Sequence, residues 1–147
     1  MKTSKALSFK KVMSESELTH SLRIRHEVFI NEQHISEKDE MDGLESHCLH
    51  YLGIQGGIFI ATARVRPLNS TNAKIERMAV LKNYRNSGVG KGLIDFIEND
   101  LQLKGFVMLS LHAQVTAEKF YRKCGYTPEG IHFYEAGIEH VKMVKRL

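Results

Sequence analysis

The chain has 147 residues, 42% hydrophobic and 26% charged, with a formal net charge of +4, a composition that suits one globular domain over 1–147 and leaves no room for a second. No stretch approaches the roughly 18 to 20 uncharged apolar residues of a membrane span, and the opening MKTSKALSFKK lacks a signal peptide's apolar core, so a cytoplasmic protein with no membrane partner is expected. Lys and Arg are spread rather than clustered and no recognition-helix or RNP-type motif occurs, which argues against nucleic acid, while Cys48 and Cys124 are too sparse to suggest anything but free thiols.

In chain order, Ser8 to Val12 reads as a first strand. Ser14 with Glu17 forms a capping box for a helical segment whose apolar face is Leu18, Leu22, Ile24, Val28 and Phe29, broken once before Gln33. A polar loop, Ser36 to Ser46, precedes a hairpin of His47 to Ile54 and Ile58 to Arg66 around Gln55-Gly56-Gly57. Lys74 to Leu81 is the next strand. A helix with the stripe Leu93, Ile94, Ile97 and Leu101 stops at Gly105, and Phe106 to Leu111 returns as a strand. Ala117, Phe120 and Tyr121 lie at helical spacing before Gly125, and two strands near Tyr126 to Tyr134 and His140 to Lys145 turn at Ala136-Gly137.

The most informative stretch is KIERMAVLKNYRNSGVGK, Lys74 to Lys91, where a strand runs through a glycine turn into a helix. Gly88 and Gly90 permit backbone conformations closed to other residues, so N–H groups from Asn86 to Lys91 can converge on a phosphate at the helix's positive end. A Walker A loop would need Gly at 85 and Ser or Thr at 92, where Arg85 and Gly92 stand. A dinucleotide fingerprint would need a third glycine at 93, where Leu93 stands.

What remains, Arg85-x-x-Gly88-x-Gly90, resembles the coenzyme A loop of the GNAT superfamily of N-acetyltransferases. IERMAV (Ile75 to Val80) is similar to that family's fourth strand, and LHAQVTAEKFYRKCGY (Leu111 to Tyr126) to the end of its fifth strand and the next helix. LRIRHEVFINEQ (Leu22 to Gln33), the acidic Glu37 to Asp42 and FYEAGIEHVKM (Phe133 to Met143) resemble the ElaA/YjcF-like branch. The resemblance implies an α/β fold: a mixed, mostly antiparallel sheet of six to seven strands with a splayed parallel pair, flanked by about four helices.

It also implies direct acetyl transfer from acetyl-CoA to a primary amine of a small molecule or protein, with no covalent enzyme intermediate. Main-chain donors of Asn86, Ser87, Gly88, Val89, Gly90 and Lys91 would meet the diphosphate, with Arg85, Lys91 and Lys123 as nearby cations. Met78, Ala79 and Val80 would pair with the pantetheine as an added strand, beside Ala117 and Phe120. Gln114 departs from the family's asparagine, which puts that pantetheine contact in question. Tyr121 is the expected acid for the leaving thiolate, the Val80 N–H the oxyanion donor, and either Glu76 or His112 the base.

Acceptor residues are sought in the first helical segment and late hairpin: Arg23, Arg25, Phe29, Glu32, Phe133, Glu135 and His140. For Tyr121 the alternative is a core tyrosine, and for Glu76, His112 and Glu135 a solvated or hydrogen-bonded residue. No metal is expected, since His26-Glu27 lacks a second His at 30 and His47-x-x-His50 falls on a strand. A non-catalytic CoA-binding sensor or interaction module on the same fold is the alternative function, and the resemblance also allows a homodimer.

Overall fold

Strands β1 (Leu7–Lys11), β2 (Leu49–Gln55), β3 (Ile58–Pro67), β4 (Asn72–Val80), β5 (Met108–Gln114), β6 (Thr127–Glu135) and β7 (Ile138–Arg146) form one sheet in the computed structural model, which describes residues 6–147. Their order is β1-β2-β3-β4-β5-β7-β6, antiparallel throughout except for β4 beside β5. That parallel pair is registered only from Asn72↔Met108 to Ile75↔Leu111, although β4 runs on to Val80 and β5 to Gln114. The two strands therefore part at their carboxyl ends.

Helices α1 (Glu15–Arg25), α2 (Glu37–Glu40), α3 (Val89–Leu103) and α4 (Glu118–Lys123) complete the fold. Ser14 caps α1 by accepting from the Glu17 N–H, while the Glu17 carboxylate accepts from Met13 N–H at 2.7 Å, one residue earlier than a standard capping box. The break expected before Gln33 is a change of helix type: α1 passes directly into a π-helical segment, His26–Glu32. α3 ends where Gly105, at φ 90°, lets Phe106 N–H reach the Leu101 carbonyl at 3.0 Å. This closure occupies Phe106, so β5 begins at Met108 rather than 106 and carries His112 and Gln114.

The two faces of the sheet differ in kind. Under α3 and α4, Ala63, Val65, Ala73, Ile75, Leu109, Leu111, Ala113, Val141 and Met143 meet Leu93, Ile94, Ile97 and Leu101 in a fully apolar core. On the other face α1 covers only a small cluster of Ile24, Val28, Phe29, Leu52 and Ala79. Beyond it the alternating residues Arg64, Arg66, Lys74, Glu76, Ser110, His112 and Gln114 share that face, because they sit opposite or two apart in the ladders.

This explains why α1 buries Ser21, Ile24 and Arg25 while Leu18 and Leu22 are only half-buried. Ser21 hydrogen-bonds the buried Thr62 hydroxyl. The expected loop Ser36 to Ser46 contains α2, capped by Ser36 Oγ, which accepts from Asp39 N–H at 3.1 Å. It lays Glu40, Asp42 and Glu45 over the charged face. Among the described residues no helix is long and apolar enough to cross a membrane.

Candidate active site

The parting of β4 and β5 coincides with a bulge in β4. Thr62 pairs with Ala79 and Arg64 with Glu76, so Ala63 faces both Arg77 and Met78, and Arg77 takes a left-handed φ of 54°. A cavity of about 800 Å³ opens there, running from Asn86 and Gly90 past Met78, Ala79 and Val80 to the charged face. It lies at the carboxyl end of parallel strands, where α/β sheets usually bind ligands.

At one end stands the glycine turn. Asn86 and Gly88 have φ of 62° and 86°, and α3 makes its first internal bond from Gly92 N–H to the Gly88 carbonyl at 3.0 Å. The N–H groups of Val89, Gly90 and Lys91 are thus left without a helical acceptor, at the end where the helix dipole favours an anion. Gly90 permits a close approach: a Cβ there would lie 3.0 Å from the Phe120 ring. This turn fits a diphosphate through main-chain donors.

The cations near it are arranged differently from expectation. Arg85 lines the cavity, but its guanidinium donates to both Glu32 carboxylate oxygens at 2.6 and 2.7 Å and to the Val80 carbonyl at 2.8 Å. It is a strut between the turn, β4 and the π-helical segment. Glu32, sought at the acceptor, is the other half of that strut. Ser87 Oγ donates to the Tyr84 carbonyl, Lys91 pairs with Asp95 at 2.9 Å, and Lys123 ends α4 in an exposed position.

In the middle, Tyr121 is buried with Phe120 and Tyr126 edge-on to its ring at 5.0 and 6.1 Å. Its hydroxyl makes no hydrogen bond to the described residues, and it lines the cavity together with Ala117 and Phe120. Burial pushes the phenol well above its usual range, so it stays protonated and can donate. Gln114 donates from Nε2 to Gln33 Oε1 at 2.9 Å, joining the end of β5 to the end of the π-helical segment.

Of the two candidate bases, Glu76 is engaged. Burial raises its carboxyl, but the hydrogen-bonded Arg64, with Lys74 and Arg66, outweighs this and holds it below the carboxylate range. His112 is different. Its Nδ1–H donates to Glu135 Oε1 at 2.7 Å, which leaves Nε2 as an acceptor. Burial and then the charge of Lys74 push its pKa down, against the pull of Glu135, so the ring is neutral at neutral pH.

Phe133 packs edge-on to His112 at 4.9 Å and stacks on His140 at 6.0 Å, while His140 gives its Nδ1–H to the Ile138 carbonyl. Glu135, His140 and Phe29 line the cavity, but Arg23 is exposed elsewhere. Arg25 does not reach it at all. That side chain is 1% exposed, held by Glu40 at 2.6 Å and Glu45 at 2.8 Å, because it falls on the buried stripe of α1.

Sequence reasoning missed Gln33, Arg66, Lys74 and Arg77, all of which line the cavity. The signal was there in Arg64-Val65-Arg66 and Lys74-Ile75-Glu76, where charge alternates with apolar residues on strands and so defines one charged face. Among the described residues no group of three or more His, Cys, Asp or Glu is placed to hold a metal. His47 lies in a turn, off the strand expected for it, and His50 is turned to the Glu45 carbonyl.

Comparison with known proteins agrees with this fold. Among curated relatives, the Bacillus subtilis protein YyaT is 39% identical over 96% of this chain and 97% of its own, and the B. subtilis N-acetyltransferase YjcF 33% identical over 90% and 94%. The crystal structure of Escherichia coli ElaA superposes with a TM-score of 0.81 at 25% identity, covering 95% of this chain and 99% of its own. A GNAT family acetyltransferase from Elizabethkingia anophelis, solved with acetyl-CoA bound, shares the fold at a TM-score of 0.75 and 14% identity, over 96% and 98% of the two chains. The model of the acetyltransferase (GNAT) domain matches residues 9–147, so this chain belongs to the GNAT acetyltransferase family.

Proposed function

We propose that the protein transfers the acetyl group of acetyl-CoA directly to a primary amine. One observation carries this reading: a single cavity joins the helix start at Asn86 and Gly90 to the neutral His112, passing Tyr121, whose hydroxyl has no hydrogen-bond partner among the described residues. Acetyl-CoA is the thioester found on this fold in the E. anophelis neighbour. The main chain of Asn86 to Lys91 binds the diphosphate, and the edge of β4 at Met78 to Val80, released from β5, receives the pantetheine as an added strand.

The acceptor must attack as a neutral amine, so a proton has to leave it. His112 Nε2 takes that proton directly or through one water, and Glu135 on Nδ1 fixes the tautomer and stabilises the imidazolium. The Val80 N–H faces the oxygen that gains charge, and Tyr121 protonates the departing thiolate. Glu76 has the lesser claim to be the base, since its carboxylate is already shared by Arg64, Arg66 and Lys74.

Calorimetry with acetyl-CoA, followed by CoASH release across an amine panel, tests the reading. Saturable binding and amine-dependent release are expected. Binding without any accelerated release would favour a CoA-binding sensor instead, and no binding would remove the basis of both.

A further inference from the structure

On the charged face two cavity-lining cations, Arg66 and Lys74, share the single carboxylate of Glu76. Arg25, Arg64 and Arg77 are met by Glu40, Asp42 and Glu45: Arg25 by Glu40 and Glu45, Arg64 by Asp42 at 2.7 Å and Glu45 at 2.9 Å, Arg77 by Asp42 at 3.4 Å and Glu40 at 3.8 Å. Those three pairs of charges balance. Glu76 then remains, touched by Arg64 but, among the described residues, the only carboxylate paired with Arg66, at 2.9 Å, and with Lys74, at 3.3 Å.

Arg66 and Lys74 are directly opposite in the β3–β4 ladder and both line the cavity. The Arg66 Nε is buried with no hydrogen-bond partner among the described residues. A buried donor of that kind, beside an ammonium whose one carboxylate is shared with two arginines, is an incomplete anion site. The register also sets its distance from the base. Lys74 pairs with Ser110, and His112 lies two residues further along β5, roughly 7 Å away.

Resting on the acetyltransferase reading, we infer that the acceptor amine carries a carboxylate, which Arg66 and Lys74 hold while the amine faces His112. A polycationic acceptor finds little here. Glu40, Asp42 and Glu76 are each spent on arginine, Glu135 is bonded to His112, and only the exposed Asp39 at the rim is without a side-chain partner among the described residues.

The test compares each proteinogenic amino acid with its decarboxylated amine, by calorimetry on the full chain saturated with free CoA, so that binding is read whether or not turnover occurs. At least one amino acid is expected to bind roughly tenfold or more tighter than its amine. Lys74→Gln, which leaves Arg66 alone on Glu76 at this end of the cavity, should close that gap while preserving acetyl-CoA affinity. Amines binding as tightly as their parent acids, no binding by any amino acid, or an unchanged gap in Lys74→Gln would overturn the inference. Failure of acetyl-CoA itself to bind is a separate result, and it would remove the acetyltransferase reading instead.

Discussion

The two faces of this sheet are made by the same strands yet held together by different forces. The face under α3 and α4 is an apolar core, stabilised by removing methyl and methylene groups from water at about 25 cal/mol per Å². The face under α1 is a network of arginines and carboxylates in which Arg25 and Arg64 are each 1% exposed. Buried ion pairs of this kind add little net stability, because desolvation offsets their attraction, but losing one partner is expensive. The apolar face is the main core, and the charged face forms one wall of the cavity.

The largest expected effect breaks the charged face. Arg25→Ala leaves the buried Glu40 without its main partner and should destabilise the protein by about 3–5 kcal/mol in chemical denaturation. Ile97→Ala on the apolar face should cost about 2–5 kcal/mol, through the lost transfer energy and the cavity it leaves. The double variant Arg25→Met, Glu40→Leu separates the two faces' physics: it should recover most of the loss from Arg25→Ala, whereas no partner change rescues Ile97→Ala.

Next come the two groups that reach the gap from opposite faces. Tyr121 belongs to the core under α4, and His112 to the charged face. Tyr121→Phe should lower kcat about a hundredfold or more with acetyl-CoA affinity kept, as expected when a general acid is removed. A rate that needs neutral His112 rises with pH through an acid limb below the ordinary histidine range. Lys74 lowers that pKa and Glu135 raises it, so Lys74→Gln should move the limb to higher pH and Glu135→Gln to lower pH. A limb that stays in place in both would exclude His112 as the titrating group.

Acid should weaken the charged face. Asp42, Glu45 and Glu76 are held below their ordinary pKa by neighbouring arginines, so their contribution is complete above the unfolded values near 4 and is lost as pH falls through the lower folded ones. Stability followed by circular dichroism should be level near neutrality and decline below about pH 4. The smallest effect is Gly88→Ala, where a side chain must accept φ of 86°. It should cost about 1–2 kcal/mol and weaken acetyl-CoA binding, without touching either face.

Local sequence determined the elements and the cradle. Leu93, Ile94, Ile97 and Leu101 read as one buried stripe because helical periodicity is set by neighbouring residues, and Arg85 to Lys91 read as an anion turn because Gly88 is a local conformational requirement. Tertiary structure alone decided what the charges do. Arg25, Glu32 and Arg85 lie in the segments expected at the site, yet Arg25 is spent on Glu40 and Glu45, and Glu32 and Arg85 on each other. Arg66 and Lys74 acquire their place only when β3, β4 and β5 come into register. The reason is physical: backbone preference and hydrophobic period are properties of a few consecutive residues, whereas an ion pair depends on which partner, far along the chain, folding brings within reach.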